Sequence, residues 1–475
     1  MPARKVALPV GVPQPLVDGL AAIRSTMSIP DTFPDEVLAA AEAAARHPRM
    51  PELDRTALEL LTIDPPGARD LDQALHIAQQ GEGYVVSYAI ADVAAFVTAG
   101  DAVDLEAHRR GMTLYAPDRR TPLHPSALSE DAASLLPGEV RAALLWTIRL
   151  DGYGKMTDAD VVRARVQSRE QLDYAQAQVE IDGGSPRETL RLLQVVGELR
   201  LQRERDRGGV SLQIPEQEVR VADDTWSLEF RAPLPVEGWN AQVSLLTEMA
   251  AAHIMLYGQI GILRTLPPAD NASLRRLRQT AKALHIHWPS ELDYPEFVRS
   301  LDPSRPDHAA MLNACTSLFR GAGYRAFSGG IPDDVEHAAL AIEYAHTTAP
   351  LRRLVDRYAG EICVALCADV PVPSWVLRVL DALPDEMLAA ERLAKKYERA
   401  IVDLVEVFLL ADRVGEVFVG TVVEVDEKKA RGIAMIKDPA VEARVRGEGL
   451  PLGHEVSLRL TSADYAKGAV EFELA

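Results

Sequence analysis

Thr62-Ile63-Asp64-Pro65-Pro66-Gly67-Ala68-Arg69-Asp70-Leu71-Asp72-Gln73-Ala74-Leu75 is the stretch on which the reading of this chain turns. Leu58, Leu60, Leu61 and Ile63 mark a buried strand that ends at Asp64, and Pro65-Pro66-Gly67 turns the chain. Asp70 and Asp72 are two apart, so in extended chain both point to one side, and the turn can bring Asp64 back towards them. Crowded carboxylates repel one another, and a hard divalent cation relieves that repulsion. Magnesium held there could activate water and stabilise a leaving oxygen in phosphoryl transfer. A solvated acidic loop fits the same residues. A calcium loop of the EF-hand kind does not, because its spacing and terminal Glu are absent.

Downstream, Leu75-His76-Ile77-Ala78, the turn Gln80-Gly81-Glu82-Gly83 and Tyr84 to Ile90 form a hairpin pattern, and Ala142 to Leu150 reads as another strand. Residues 188–207 read as an Arg-rich helix. Residues 240–410 read as mostly helical with a loop-rich stretch near 321–336, ending in a long helix over 384–413. From Gly415 the pattern changes to short alternating strands, five or six in the last sixty or so residues, which points to a small OB-type barrel. Ahead of the acidic stretch, Leu16, Leu20 and Ile23 share a helix face and Pro34 opens a second helix, a small module compatible with helix-turn-helix or with a plain hairpin.

A second motif is Tyr344-Ala345-His346-Thr347-Thr348-Ala349-Pro350-Leu351-Arg352-Arg353-Leu354-Val355-Asp356. Pro350 suits the first turn of a helix running through Ile362 and Leu366, with Thr347 and Thr348 as caps. A helix N-terminus with two arginines beside it is a phosphate-binding arrangement. A capped helix with Arg352 paired to Asp356 is the plainer alternative.

The chain has 475 residues, enough for about three domains. Lys+Arg 51 against Asp+Glu 70 gives −19, which argues against surface-wide adhesion to nucleic acid. No apolar run is long enough to cross a membrane and no signal-peptide core is present, so the expectation is a cytoplasmic protein with no membrane association. Cys315, Cys363 and Cys367 cannot build a disulfide framework and read as small core residues, in keeping with that compartment.

Asp64-x5-Asp70-x-Asp72 within Thr-Ile-Asp and Arg-Asp-Leu-Asp-Gln-Ala-Leu resembles the signature of the ribonuclease II/ribonuclease R family, the RNB-domain exoribonucleases. Tyr88-Ala89-Ile90-Ala91-Asp92-Val93, Leu114-Tyr115-Ala116-Pro117-Asp118-Arg119-Arg120, Leu123-His124-Pro125 and Ser134-Leu135-Leu136-Pro137-Gly138 follow in the family's order. The resemblance covers about residues 55–365, and the tail resembles the family's terminal barrel.

The resemblance implies an α/β (α+β) protein in three parts: a helical N-terminal module over 1–52, a large RNB-type catalytic domain of mixed sheet and helices over 53–413, and an OB-type RNA-binding barrel over 414–475. It implies a metal-dependent 3′→5′ exoribonuclease that takes the 3′ end of single-stranded RNA, with magnesium as cofactor, manganese able to substitute, and no obligate protein partner. Asp64, Asp70, Asp72 and Arg352 would be catalytic, the three aspartates holding metal with Gln73 contributing a neutral oxygen to the same metal site, and Arg352 meeting the scissile phosphate. Tyr174, in Ser168-Arg169-Glu170-Gln171-Leu172-Asp173-Tyr174, would stack a terminal base. His346, Thr348, Arg353, Tyr115, Arg119 and Arg120 would line the RNA path, with Arg109 and Arg110 as further backbone contacts, and His253 would line the site where the family has Asn. The sequence departs from the family at Gln73, where a fourth metal-binding Asp is usual. Glutamine keeps one carbonyl oxygen but loses the charge. Two alternatives therefore stand: an RNA-binding pseudo-nuclease with a weakened metal site, and an unrelated metal phosphoesterase acting on small molecules. Tandem cold-shock barrels are expected ahead of the acidic stretch, where residues 1–63 here read as helical, so the clamp over RNA would be built differently.

Overall fold

The computed structural model describes residues 14–475 apart from 211–215, 223–224, 232, 303–304, 320, 438–439 and 466–467. The first thirteen residues of the N-terminal module, Met1 to Lys5 among them, lie outside the described residues. Helices α1 (Gln14–Thr26) and α2 (Asp35–Arg46) precede a closed five-strand barrel. Its strands are β1 (Leu60–Asp64), β2 (Gln73–Gln80), β3 (Gly83–Ala91), β6 (Val140–Leu150) and β7 (Met156–Asp173). Between β3 and β6 lie α3 (Ala102–Arg110) and a two-rung hairpin, β4 (Leu114–Tyr115) with β5 (Arg120–Thr121).

The β2–β3 hairpin forms where the pattern predicts it, with Gln80 opposite Gly83. Gly81 has φ +61, which a two-residue hairpin loop requires and most side chains resist. A Cβ on Gly83 would lie 2.1 Å from the Leu150 carbonyl, so close strand approach fixes glycine there too. The barrel carries an apolar cluster on each of its faces. Leu75, Ile77, Tyr88, Trp146 and Ile148 gather with helices α5 (Glu188–Asp206), α6 (Pro235–Tyr257) and Leu354–Cys367. Ala74, Ala89, Ala143, Leu145 and Ala164 gather instead with Val37 of α2 and Val103 of α3. Closure comes from parallel pairing of β1 with β7, which sets Asp64 beside Asp173. Tyr174, the first residue of α4 (Tyr174–Asp182), follows at once.

The helices α1 and α2 bury their apolar faces in different places. Leu16 and Leu20 of α1 meet Tyr397, Ile401 and Leu404 of the 28-residue helix Leu383–Leu410, while α2 packs beside α3. Two elements differ from the sequence expectation. The stretch read as mostly helical holds a strand, Ile260–Thr265, which pairs antiparallel with Gly323–Ser328 from the part read as loop-rich. The helix after the second motif opens at Leu354 rather than Pro350, because Arg353 is extended and bridges to Met112. Residues 417–474 form a second closed barrel of five strands whose core includes Val422, Leu458 and the edge-on rings of Phe418 and Phe472, centroids 5.6 Å apart. No helix among the described residues is long and apolar enough to cross a membrane.

Candidate active site

Asp72 leads into β2 and is fully buried. Its Oδ1 accepts from the Leu351 amide at 2.8 Å and its Oδ2 from Arg352 Nε at 2.6 Å, so the two motifs meet across 280 residues of chain. Burial pushes the Asp72 carboxyl up to about 7, and Asp70 adds to the rise while Arg352 opposes it. Burial also works against the charge on Arg352, yet Asp72, with Tyr115 and Asp70, holds that guanidinium firmly charged.

Arg352 sits on a turn whose backbone groups are almost all occupied. Gln73 Nε2 donates to the Thr348 carbonyl at 2.6 Å, the Ala349 amide donates to Asp356 Oδ1 at 2.7 Å, and the Thr113 amide donates to the Arg352 carbonyl at 2.9 Å. His124 hydrogen-bonds the Pro350 carbonyl. With Leu351 already bound to Asp72, these contacts stand in place of the expected helix N-terminus. Thr347 and Thr348 accordingly do not cap. The Thr348 hydroxyl donates to Glu248 Oε1 at 3.1 Å and lies 2.9 Å from Ser244 Oγ. The plainer alternative, Arg352 paired with Asp356, does not form: Asp356 pairs with Arg353, at 2.8 Å.

Asp70 is met from the β4–β5 hairpin. Arg120 Nη1 donates to its Oδ1 at 2.6 Å, and the Tyr115 hydroxyl lies 3.5 Å from its Oδ2. Tyr115 and Arg120 are register partners, so one rung delivers both. The hairpin is braced by the N-terminal segment: Arg24 holds Asp118 through two contacts of 2.9 and 3.0 Å, and Arg119 pairs with Asp31. Arg110 donates to the Thr32 carbonyl at 2.9 Å and lies over the Phe33 ring, and Arg109 pairs with Glu106. Asp64, at the end of β1, is close enough to Tyr174 to raise its phenol. Burial is the larger cause, and together they push Tyr174 up to about 12, against a hydrogen bond with Asn240.

The remaining predicted residues lie just behind this surface. His346 Nδ1 is 2.7 Å from the Tyr324 hydroxyl, and burial, with Arg353 and Arg264, holds its ring well below the usual imidazole pKa. Arg353 is spent on Asp356 and Glu248. His253 is exposed on α6, whose buried face is carried by Ala250, Ala251 and Met255, so it does not line the site. Glu248 is the residue that sequence reasoning missed. Fully buried, it takes hydrogen bonds from Tyr344, Thr348 and Arg353, and burial raises its pKa. In sequence it is a single acidic residue inside an apolar run, Leu245-Leu246-Thr247-Glu248-Met249-Ala250.

Asp64, Asp70 and Asp72 supply hard carboxylate oxygens, the donor class that magnesium takes. The donor chemistry thus fits a divalent cation, although among the described residues no three His, Cys, Asp or Glu side chains gather into a cation cage. Gln73 does not fit in the same way: Tyr88 donates to its Oε1 at 2.5 Å, and its amide nitrogen is used on Thr348.

Two stretches of the chain match known families. Residues 53–367 match the RNB domain, and residues 416–475 match the RNase II-type exonuclease C-terminal S1 domain. Ribonuclease R of Aquifex aeolicus is 26% identical over all of this chain and 72% of its own length. Several other curated relatives are longer, and the chain spans 32 to 50% of them. Mycoplasma genitalium RNase R, solved with ribose-methylated single-stranded RNA, superposes with a TM-score of 0.87 at 18% identity, covering 97% of this chain and 78% of that one. Yeast Ssd1, described as a pseudonuclease, superposes with a TM-score of 0.69 at 18% identity over 88% of this chain and 52% of its own. The chain belongs to the RNB family of exoribonucleases and carries their RNase II-type S1 domain at its end.

Proposed function

We propose that this protein is a divalent-metal-dependent 3′→5′ exoribonuclease that hydrolyses single-stranded RNA to nucleoside 5′-monophosphates. The observation that carries the reading is the meeting of Asp72 with Arg352 on a pinned turn, beside Asp70 and its Tyr115–Arg120 rung. Asp64, Asp70 and Asp72 would hold magnesium, which when bound supplies an acidified water and positive charge for phosphoryl transfer. Arg352 stabilises the charge that develops on the phosphate oxygens, and its fixed position means it need not reorganise as the reaction proceeds. Tyr174 offers a sequence-tolerant face to the terminal base, next to Asp64. Arg120, Tyr115 and Arg119 flank the path on the hairpin, and His346, Thr348 and Arg353 set the wall behind it. Three cysteines without a disulfide suit the reducing cytoplasm.

One observation favours a second reading, an RNA-binding pseudonuclease: Asp70 and Asp72 are each already neutralised by an arginine. A single assay separates the two. A 5′-labelled single-stranded RNA with a free 3′ hydroxyl is incubated with protein and Mg²⁺ or Mn²⁺. Stepwise shortening with release of mononucleotides, without inorganic phosphate, is expected. Binding with no shortening across a wide metal titration overturns the enzyme reading in favour of the second.

A further inference from the structure

Gln73 stands where the family resemblance places a metal-binding carboxylate, and its own contacts suggest different work. Its carboxamide needs one acceptor and one donor at once. Oε1 takes the Tyr88 hydroxyl proton at 2.5 Å, and Nε2 gives a proton to the Thr348 carbonyl at 2.6 Å. A carboxylate has acceptors only, so an Asp or Glu here would face the Thr348 carbonyl oxygen with another oxygen. Tyr88 is itself buried and fixed in β3, which makes it a rigid anchor. Thr348 is gripped at its hydroxyl as well, by Ser244 and Glu248. Asp72 and Gln73 are neighbours in sequence, and they hold the same turn at two points, Leu351 and Thr348.

We propose that Gln73 is a positioning residue that clasps the Thr348–Arg352 turn to β2 through Tyr88 and the Thr348 carbonyl, and so places Arg352, rather than ligating the cation. This rests on the proposed exoribonuclease reading for its effect on turnover. The clasp itself is open to test without activity.

Gln73→Glu keeps the shape and removes the donor, and Tyr88→Phe removes the anchor. Three measurements are made on the full chain: Mn²⁺ titration by electron paramagnetic resonance without RNA, amide hydrogen exchange of the peptide around residues 345–353, and steady-state kinetics. The clasp predicts exchange of that peptide faster by about tenfold in Gln73→Glu, with kcat lowered about tenfold or more, KM nearly unchanged and Mn²⁺ affinity unchanged. Tyr88→Phe shifts exchange and kcat the same way by less, and the double variant adds little to Gln73→Glu. Mn²⁺ binding tightened by about tenfold in Gln73→Glu, with exchange unaltered, overturns the proposal in favour of a ligand role. If Gln73→Glu does not fold, Tyr88→Phe decides: tighter Mn²⁺ binding from the freed Oε1, or unaltered exchange, is likewise fatal. If the wild-type chain degrades no RNA, the exoribonuclease reading falls, while exchange and Mn²⁺ titration still judge the clasp.

Discussion

Replacement of Asp72 by Asn tests the heart of the site. The side-chain oxygen of Asn can keep the Leu351 amide bond, but its NH₂ then faces the Nε–H of Arg352, donor against donor. The lost contact is a charge-assisted hydrogen bond, which contributes about 1.5–3 kcal/mol. A fully buried pair broken from one side costs about 3–5 kcal/mol. Here Asp72 is 2% exposed but Arg352 32%, so water takes up part of the orphaned charge and the lower range applies. Stability should therefore fall by about 1.5–3 kcal/mol in denaturant melts. If that whole loss were expressed at the transition state, displaced Arg352 alone would slow turnover about 10- to 150-fold. Loss of a carboxylate donor comes on top, so turnover should drop by at least about 100-fold while RNA binding stays within about threefold. The assay is single-turnover degradation of 5′-labelled RNA beside fluorescence anisotropy on the same RNA. A turnover within about threefold of wild type refutes the placement of Asp72 in the chemistry.

Two further outcomes follow from neighbouring contacts. Tyr174→Ala should weaken capture of a free 3′ end by about 5- to 150-fold, the worth of one base stack, while Tyr174→Phe stays within about threefold. Equal affinity for the Ala variant, measured in the Asp72→Asn background, would exclude stacking there. Burial, with Arg357 nearby, lowers His124 from 6.5 to about 3, so the unfolded chain takes up a proton that the native ring refuses. The resulting stability is complete above about pH 6.5 and is lost as pH falls towards 3, at about 1.4 kcal/mol per pH unit from this ring. His124→Gln should flatten that slope in denaturant melts between pH 6.5 and 5, and an identical slope would contradict the assignment.

Much of this was open to a reader of the sequence because it depends on short-range patterns. The β2–β3 hairpin, the long helix Leu383–Leu410 and the C-terminal barrel all follow from local periodicity and turn residues. Elements made by distant partners were hidden. The Ile260–Thr265 strand exists because Gly323–Ser328 lies beside it, and β1 closes a barrel only through β7. The helix start at Leu354 is set by Met112, far away in sequence. At the site, the residue types were visible but their allotment was not: spacing alone could not assign Arg352 to Asp72 and Arg353 to Asp356 and Glu248. The net charge of −19 concerns the outer surface and does not set the charge at the site, where Arg120 and Arg352 lie.

The turn that carries Arg352 draws its partners from Asp72, Gln73, Thr113, His124 and Asp356, which belong to four separate places along the chain. Functional segments are commonly drawn from the least stable parts of a protein. Here the arginine sits where several parts of the chain meet, so its release should require them to separate together. Loss of activity on heating should coincide with cooperative melting of the catalytic domain. In the exoribonuclease proposed above, the moving part of a degradation cycle would be the RNA strand, threading past a stationary arginine.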